Sequence, residues 1–133
     1  MKKLKHVVGA IAVALVIPFA GAHSAEIEGV KMSKSEVTAM FSGKTDVWQS
    51  GNGASYTGPD GTYLFKFKGN RGQGNWSVSD SGTLCLKVQK WWGDKNNCNW
   101  EYYKVGDIIK HRDIKKDTLV ILDMKNITEG NSL

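Results

Sequence analysis

The stretch YLFKFK, residues 63–68, alternates a ring with an aliphatic or lysine side chain. Tyr63, Phe65 and Phe67 fall on one face of an extended chain and Lys66 and Lys68 on the other. That period of two marks a strand covered on one side and wet on the other. Similar segments flank it at Thr45–Ser50, Gly74–Ser79, Thr83–Gln89, Asn99–Val105, Ile108–His111 and Thr118–Asp123. Turn residues divide them, among them Gly51-Asn52-Gly53, Pro59-Asp60-Gly61, Gly69-Asn70-Arg71-Gly72, Asp80-Ser81-Gly82 and Gly106-Asp107. The spacing predicts six or seven short strands joined by hairpin-length connections. No helical segment long enough for a crossover lies between them, so the sheet is expected to be antiparallel.

One helix precedes the strands. Ser33-Lys34-Ser35-Glu36 has the S-x-x-E form of a capping box, Val37, Met40 and Phe41 follow at helical spacing, and Gly43 is placed to stop the turn. The expected fold is therefore mainly β: a small antiparallel up-and-down barrel or a curled meander with one short N-terminal helix. The helix would plug one end or lie on an open face. A barrel of this size is expected to be filled by its own side chains.

The N-terminus has a different character. Lys2, Lys3 and Lys5 precede an uncharged apolar run from Val7 to Ala22. The run is shorter than the ~20 residues a helix needs to span a bilayer, and it ends in Ala20-Gly21-Ala22. Residues 1–22 read as a signal peptide, cleaved after Ala22 or after Ala25, and residues 23–133 as a single domain of periplasmic or secreted location, with no membrane span once the signal is removed. Its removal takes three of the 18 Lys and Arg and none of the 13 acids, so the net charge falls from +5 to +2. A charge that small argues against nucleic acid as a partner.

Cys85 and Cys98 follow the export signal and are the only cysteines, so they are expected to form one disulfide. Direct pairing of the two would leave apolar residues on both faces, with Leu84 and Leu86 beside Asn97 and Asn99 and with Trp100 and Tyr102 on the cysteine side. A β-bulge near Asn96-Asn97 or Trp91-Trp92 would resolve the conflict. A zinc site needs four ligands, and His111, flanked by charges, is the single histidine in the body of the domain. No metal and no cofactor is expected, and His111 reads as a surface residue. Lys110-His111-Arg112 with Lys115-Lys116 reads as a solvated basic patch.

Two motifs invite a chemical reading. Ser42-Gly43-Lys44-Thr45 ends like a phosphate-binding loop, but Thr38 stands where the first glycine belongs and the order is helix then strand. The denser candidate is KWWGDKNNCNW, residues 90–100. In an extended hairpin end, adjacent Trp91 and Trp92 point to opposite faces, which leaves one ring exposed beside Lys90 and Lys95 as an anchor for a partner.

Phe41-Ser-Gly43-Lys-Thr45, Tyr56, Asp60-Gly61, Gly74-Asn-Trp76, Leu84-Cys85, Cys98 and Gly130-Asn131 together resemble the secreted proteobacterial proteins grouped as domain of unknown function 995. The resemblance covers nearly the whole exported chain. It implies export and a small β-rich fold, and it assigns no activity or site. The architecture is also similar to periplasmic β-barrel inhibitors of proteases and lysozymes and to lipocalin-like carriers, an analogy of fold alone.

The expected function is a non-enzymatic binding or interaction module, including an inhibitor, that recognises another periplasmic or extracellular protein through the 90–100 hairpin end. The alternative is a lipocalin-like carrier of a small apolar or aromatic ligand held among Tyr63, Phe65, Phe67, Trp76 and Val78. A hydrolase assembled from residues distant in sequence is the third and least favoured reading.

Overall fold

The computed structural model describes residues 27–133. The expected signal peptide and both cleavage sites lie outside the described residues. Strands β1 (Val30–Lys31), β2 (Lys44–Val47), β3 (Gly53–Thr57), β4 (Thr62–Phe67), β5 (Asn70–Val78), β6 (Leu84–Lys87), β7 (Asn97–Val105), β8 (Ile108–Asp113), β9 (Thr118–Leu122) and β10 (Ile127–Glu129) form one antiparallel sheet. Its order is β10-β2-β3-β4-β5-β6-β7-β8-β9, with β1 paired to β7. Every hairpin from β2 to β9 therefore pairs neighbours in sequence, as short turn-rich connections dictate.

The sheet curls into a half-barrel and stays open. Among the described residues β9 and β10 do not pair, because β10 occupies the edge of β2 that closure would have given to β9. The Gln49 side chain spans the gap, with Nε2 donating to the Ile121 carbonyl at 2.9 Å.

Helix α1 (Lys34–Phe41) carries the expected capping box and buries Val37, Met40 and Phe41. It plugs one half of the curl. Phe41 packs with its ring tilted 60° and 5.2 Å from that of Tyr102, and the core continues through Phe65, Trp76, Val78, Leu84, Leu86 and Val88. Trp76 Nε1 donates to the Gly58 carbonyl at 2.7 Å, so its buried donor is satisfied.

Local structure departs from the expected pattern in four places. The Gly69–Gly72 turn is tighter than read: the reversal sits at Lys68-Gly69, and Asn70–Gly72 already belong to β5. Those glycines serve the sheet. Gly72 lies opposite Phe65, and a Cβ there would fall inside the van der Waals envelope of the ring. Strand β3 was hidden because its sequence, GASYT, is small and polar rather than alternating. The segment expected to run as a strand to Gln89 stops at Lys87, and Gln89–Trp92 forms a helical turn, α2.

The fourth departure is the bulge. Cys85 pairs with Cys98 and Leu84 with Trp100, so the extra residue is Asn99 rather than one at Asn96-Asn97 or Trp91-Trp92. The insertion sits beside the disulfide because only there does it keep both cysteines on one face while turning Trp100 and Tyr102 to the face of Leu84 and Leu86. The Cys85–Cys98 bond forms as expected.

Two stability outcomes follow from this frame. Gly72→Ala is expected to destabilise the fold by about 1–3 kcal/mol through overpacking against Phe65, while Arg71→Ala on the exposed face leaves the unfolding midpoint nearly unchanged. Reduction of the disulfide is expected to cost about 3 kcal/mol in urea unfolding, the entropy of the loop it closes.

Candidate functional site

The half of the curl that α1 leaves unfilled is a cavity of about 580 Å³. This overturns the expectation of an interior filled by side chains. Closure is incomplete and the helix occupies one end, so the remaining concave surface faces solvent. Exposed Gln49, Ser50, Lys116 and Val120 form the rim.

Aromatic rings line one wall in a continuous arc. Trp48 lies 5.8 Å from Phe67, Phe67 lies edge-on 6.0 Å from Trp91, Trp91 meets Trp92 at 5.5 Å, and Trp92 lies 6.4 Å from Trp100. Each ring is placed by a local cause. Gly53 carries no side chain where the Trp48 ring lies, and Trp48 Nε1 donates to Ser55 Oγ at 3.2 Å. The Asn99 bulge turns Trp100 inward.

Trp91 and Trp92 are the clearest correction to the expected site. In an extended hairpin they would face opposite ways. In α2 the amides of both donate to the Val88 carbonyl, and neighbouring side chains on a helical turn diverge by only about 100°. Both rings therefore turn to the same cavity and are partly buried, with Trp91 also packed 4.2 Å from Phe65. Lys90 and Lys95 stay exposed on the outside of the turn. Of the side chains expected to line an interior site, Tyr63 and Phe67 do so, while Phe65, Trp76 and Val78 belong to the core beneath.

Polar groups line the same cavity. Asp46 on β2 lies across from Ser55 on β3, which lies across from Phe65, so register places the carboxylate on the concave face. Among the described residues it has neither a hydrogen bond nor a cationic partner. Burial pushes its pKa up from 3.8 to about 6. Their own burial, with a smaller push from the Asp46 charge, raises the phenols of Tyr63, to about 12, and of Tyr102.

His111 is no surface histidine. It stacks on Tyr102 at 5.1 Å with the rings 11° from parallel, and among the described residues Nε2 is buried without a partner. Burial lowers its pKa, against a smaller opposing pull from Asp113. Alternation along β8 disperses the expected basic patch. His111 faces the cavity, whereas Lys110 pairs with Glu28 at 3.6 Å and Arg112 with Glu101 and Asp117 at 3.7 and 3.2 Å.

Asp46, Trp48 and Tyr102 were not singled out as site residues, and Trp100 entered only as the end of the 90–100 stretch. A pairing of β2 with β3 through the Gly51-Asn52-Gly53 turn would have placed Asp46 beside inward-facing Phe65, but β3 gave no signal of its own.

A family model described as "Protein of unknown function (DUF995)" matches residues 10–117. The chain belongs to the DUF995 family. No curated protein matches it, and no solved structure does. The residues that carry the DUF995 resemblance act mainly on the frame. Gly43 follows α1 at φ +73° and its carbonyl accepts from the Gly130 amide at 2.8 Å, Trp76 anchors to Gly58, and Cys85–Cys98 ties β6 to β7. Among the described residues, no helix is long and apolar enough to cross a membrane.

The raised pKa of Asp46 has a stability consequence of unusual sign. The folded state holds the proton more tightly than the unfolded state, so stability falls as pH rises from about 4 through 6 and the ionised carboxylate is a net cost above that. Asp46→Asn is expected to stabilise the protein at about pH 7 by on the order of 2 kcal/mol and to change little at about pH 4. Urea unfolding at both values checks this; an equal effect at the two would show that Asp46 is not desolvated.

Proposed function

We propose that the protein is a non-enzymatic, exported binding protein that holds a small ligand with an apolar or aromatic body in the concave face of its sheet. The reading rests on one observation, the open cavity of about 580 Å³ walled by five aromatic rings in tilted and edge-on contact. Small-molecule sites characteristically occupy ~300–1,000 Å³ and combine apolar lining with a few placed polar groups. Asp46, His111 and Ser55 supply such groups here. Periplasmic or secreted location is part of the proposal and is supported by the charged and apolar N-terminus and by the disulfide.

The arrangement of α2 supports this carrier reading over recognition of a protein through the 90–100 segment. An interface anchor needs an outward ring, and both Trp91 and Trp92 line the cavity instead. The disulfide loop then has a role in the site, since it encloses the turn that carries both rings.

Titration with N-phenyl-1-naphthylamine, an uncharged probe, tests the proposal. The purified protein is expected to bind it with blue-shifted probe emission and quenched tryptophan fluorescence. Trp91→Ala and Trp92→Ala are each expected to weaken binding about tenfold. Absence of binding to the folded protein would refute the carrier reading, and affinity unchanged in both variants would move the site away from α2.

A further inference from the structure

We infer that the ligand is an organic cation, an amine or quaternary ammonium whose charged head lies against Asp46 and whose apolar body packs among Trp48, Trp91, Trp92 and Trp100. The inference rests on the proposed carrier reading and deepens it.

The first support is the state of Asp46. It lines the cavity, half-buried, and no Lys or Arg among the described residues pairs with it. A desolvated carboxylate without a partner is costly, and the cost is recovered when a cation arrives. The nearest cations along the chain are committed elsewhere. Lys44, two residues back on β2, donates to the Ala39 carbonyl at 3.1 Å and pairs with Glu129 at 3.5 Å.

The rings are the second support. Indole and phenol faces attract cations through their quadrupoles, and quaternary ammonium groups are recognised by aromatic cages of this composition. An anion would meet two carboxylates, Asp46 and Asp113, and a histidine held neutral by burial. Lys116 is the one Lys or Arg lining the cavity among the described residues, and it stands exposed at the rim. Its amide donates to Asp113 Oδ1 at 3.0 Å, which ties Asp113 to the β8–β9 turn and leaves Asp46 as the unengaged acid.

The groups facing Asp46 define the pH response. Tyr63 on β4 and Tyr102 on β7 are neutral at physiological pH, and His111 on β8 is neutral once above its lowered pKa. Asp113 and Lys116 near the mouth carry opposite charges. Asp46, at about 6, is the group whose ionisation would rise with cation affinity across the acid-to-neutral range.

The test compares benzyltrimethylammonium with its uncharged isostere neopentylbenzene and with the anion phenylacetate, following tryptophan fluorescence of the purified protein. The cation is expected to bind about tenfold or more tighter than the isostere near pH 7.5, a preference lost as pH falls toward 5. In Asp46→Asn the cation is expected to lose that advantage while the isostere binds as before, which also shows that the cavity is intact. Equal binding of cation and isostere, a preference for phenylacetate, or a cation preference that survives Asp46→Asn would overturn the inference and leave the carrier reading standing. Failure of all three probes together with N-phenyl-1-naphthylamine would overturn both.

Discussion

Asn99 is one residue more than the β6–β7 ladder needs, and half of the concave wall depends on it. Side chains in a strand alternate between faces, so a single inserted residue exchanges the faces of everything beyond it. On one side of Asn99 the cysteines share a face and bond; on the other, Trp100 and Tyr102 join Leu84 and Leu86. The consequence passes from strand to strand. Tyr102 is opposite His111 and His111 opposite Val120, and Trp100 is opposite Asp113, so the polar residues of β8 inherit their orientation from the same bulge. Without it, β7 would present Asn99 inward and its rings to solvent.

The frame that carries this wall separates packing from site. Helix α1 fills one end of the curl with Val37, Met40 and Phe41, and the apolar residues beside it are nearly inaccessible. Beyond Phe41 the packing stops and the rings become half-buried. Trp48, Phe67, Trp91, Trp92 and Trp100 touch the core without completing it. The Asp46 carboxylate, without a partner among the described residues, sits among them. Stability optimised alone would have filled this space or removed the charge, and local costs of this kind collect where a structure is shaped for a ligand.

The residues differ in how openly they announced their places. The cap at Ser33 and Glu36 works within one helical turn, and the alternation at residues 63–67 works within one strand, so both were legible. Strand β3 was not, because Gly53, Ala54 and Ser55 have small side chains that declare no face and owe their extended form to β2 and β4 on either side. Trp91 and Trp92 misled for a related reason. Two adjacent rings point apart in a strand and converge on a helical turn, and nothing local to Gln89–Trp92 distinguishes the two. The turn is held by bonds to Val88 and Gln89 carbonyls at the end of a strand that had already paired.

Pattern and chemistry confined to neighbouring residues were determined by the amino-acid sequence itself: an antiparallel β-rich fold, a capped helix, a disulfide between Cys85 and Cys98 and membership of the DUF995 family. Each depends on spacings of a few residues, or on two cysteines with no other partner. The tertiary structure alone decided that the curl stays open, that the bulge falls at Asn99, and that Asp46 meets a wall of tryptophans. Those outcomes depend on strand register between segments distant in sequence. Register is a property of pairs of strands, so no single stretch of the chain contains it.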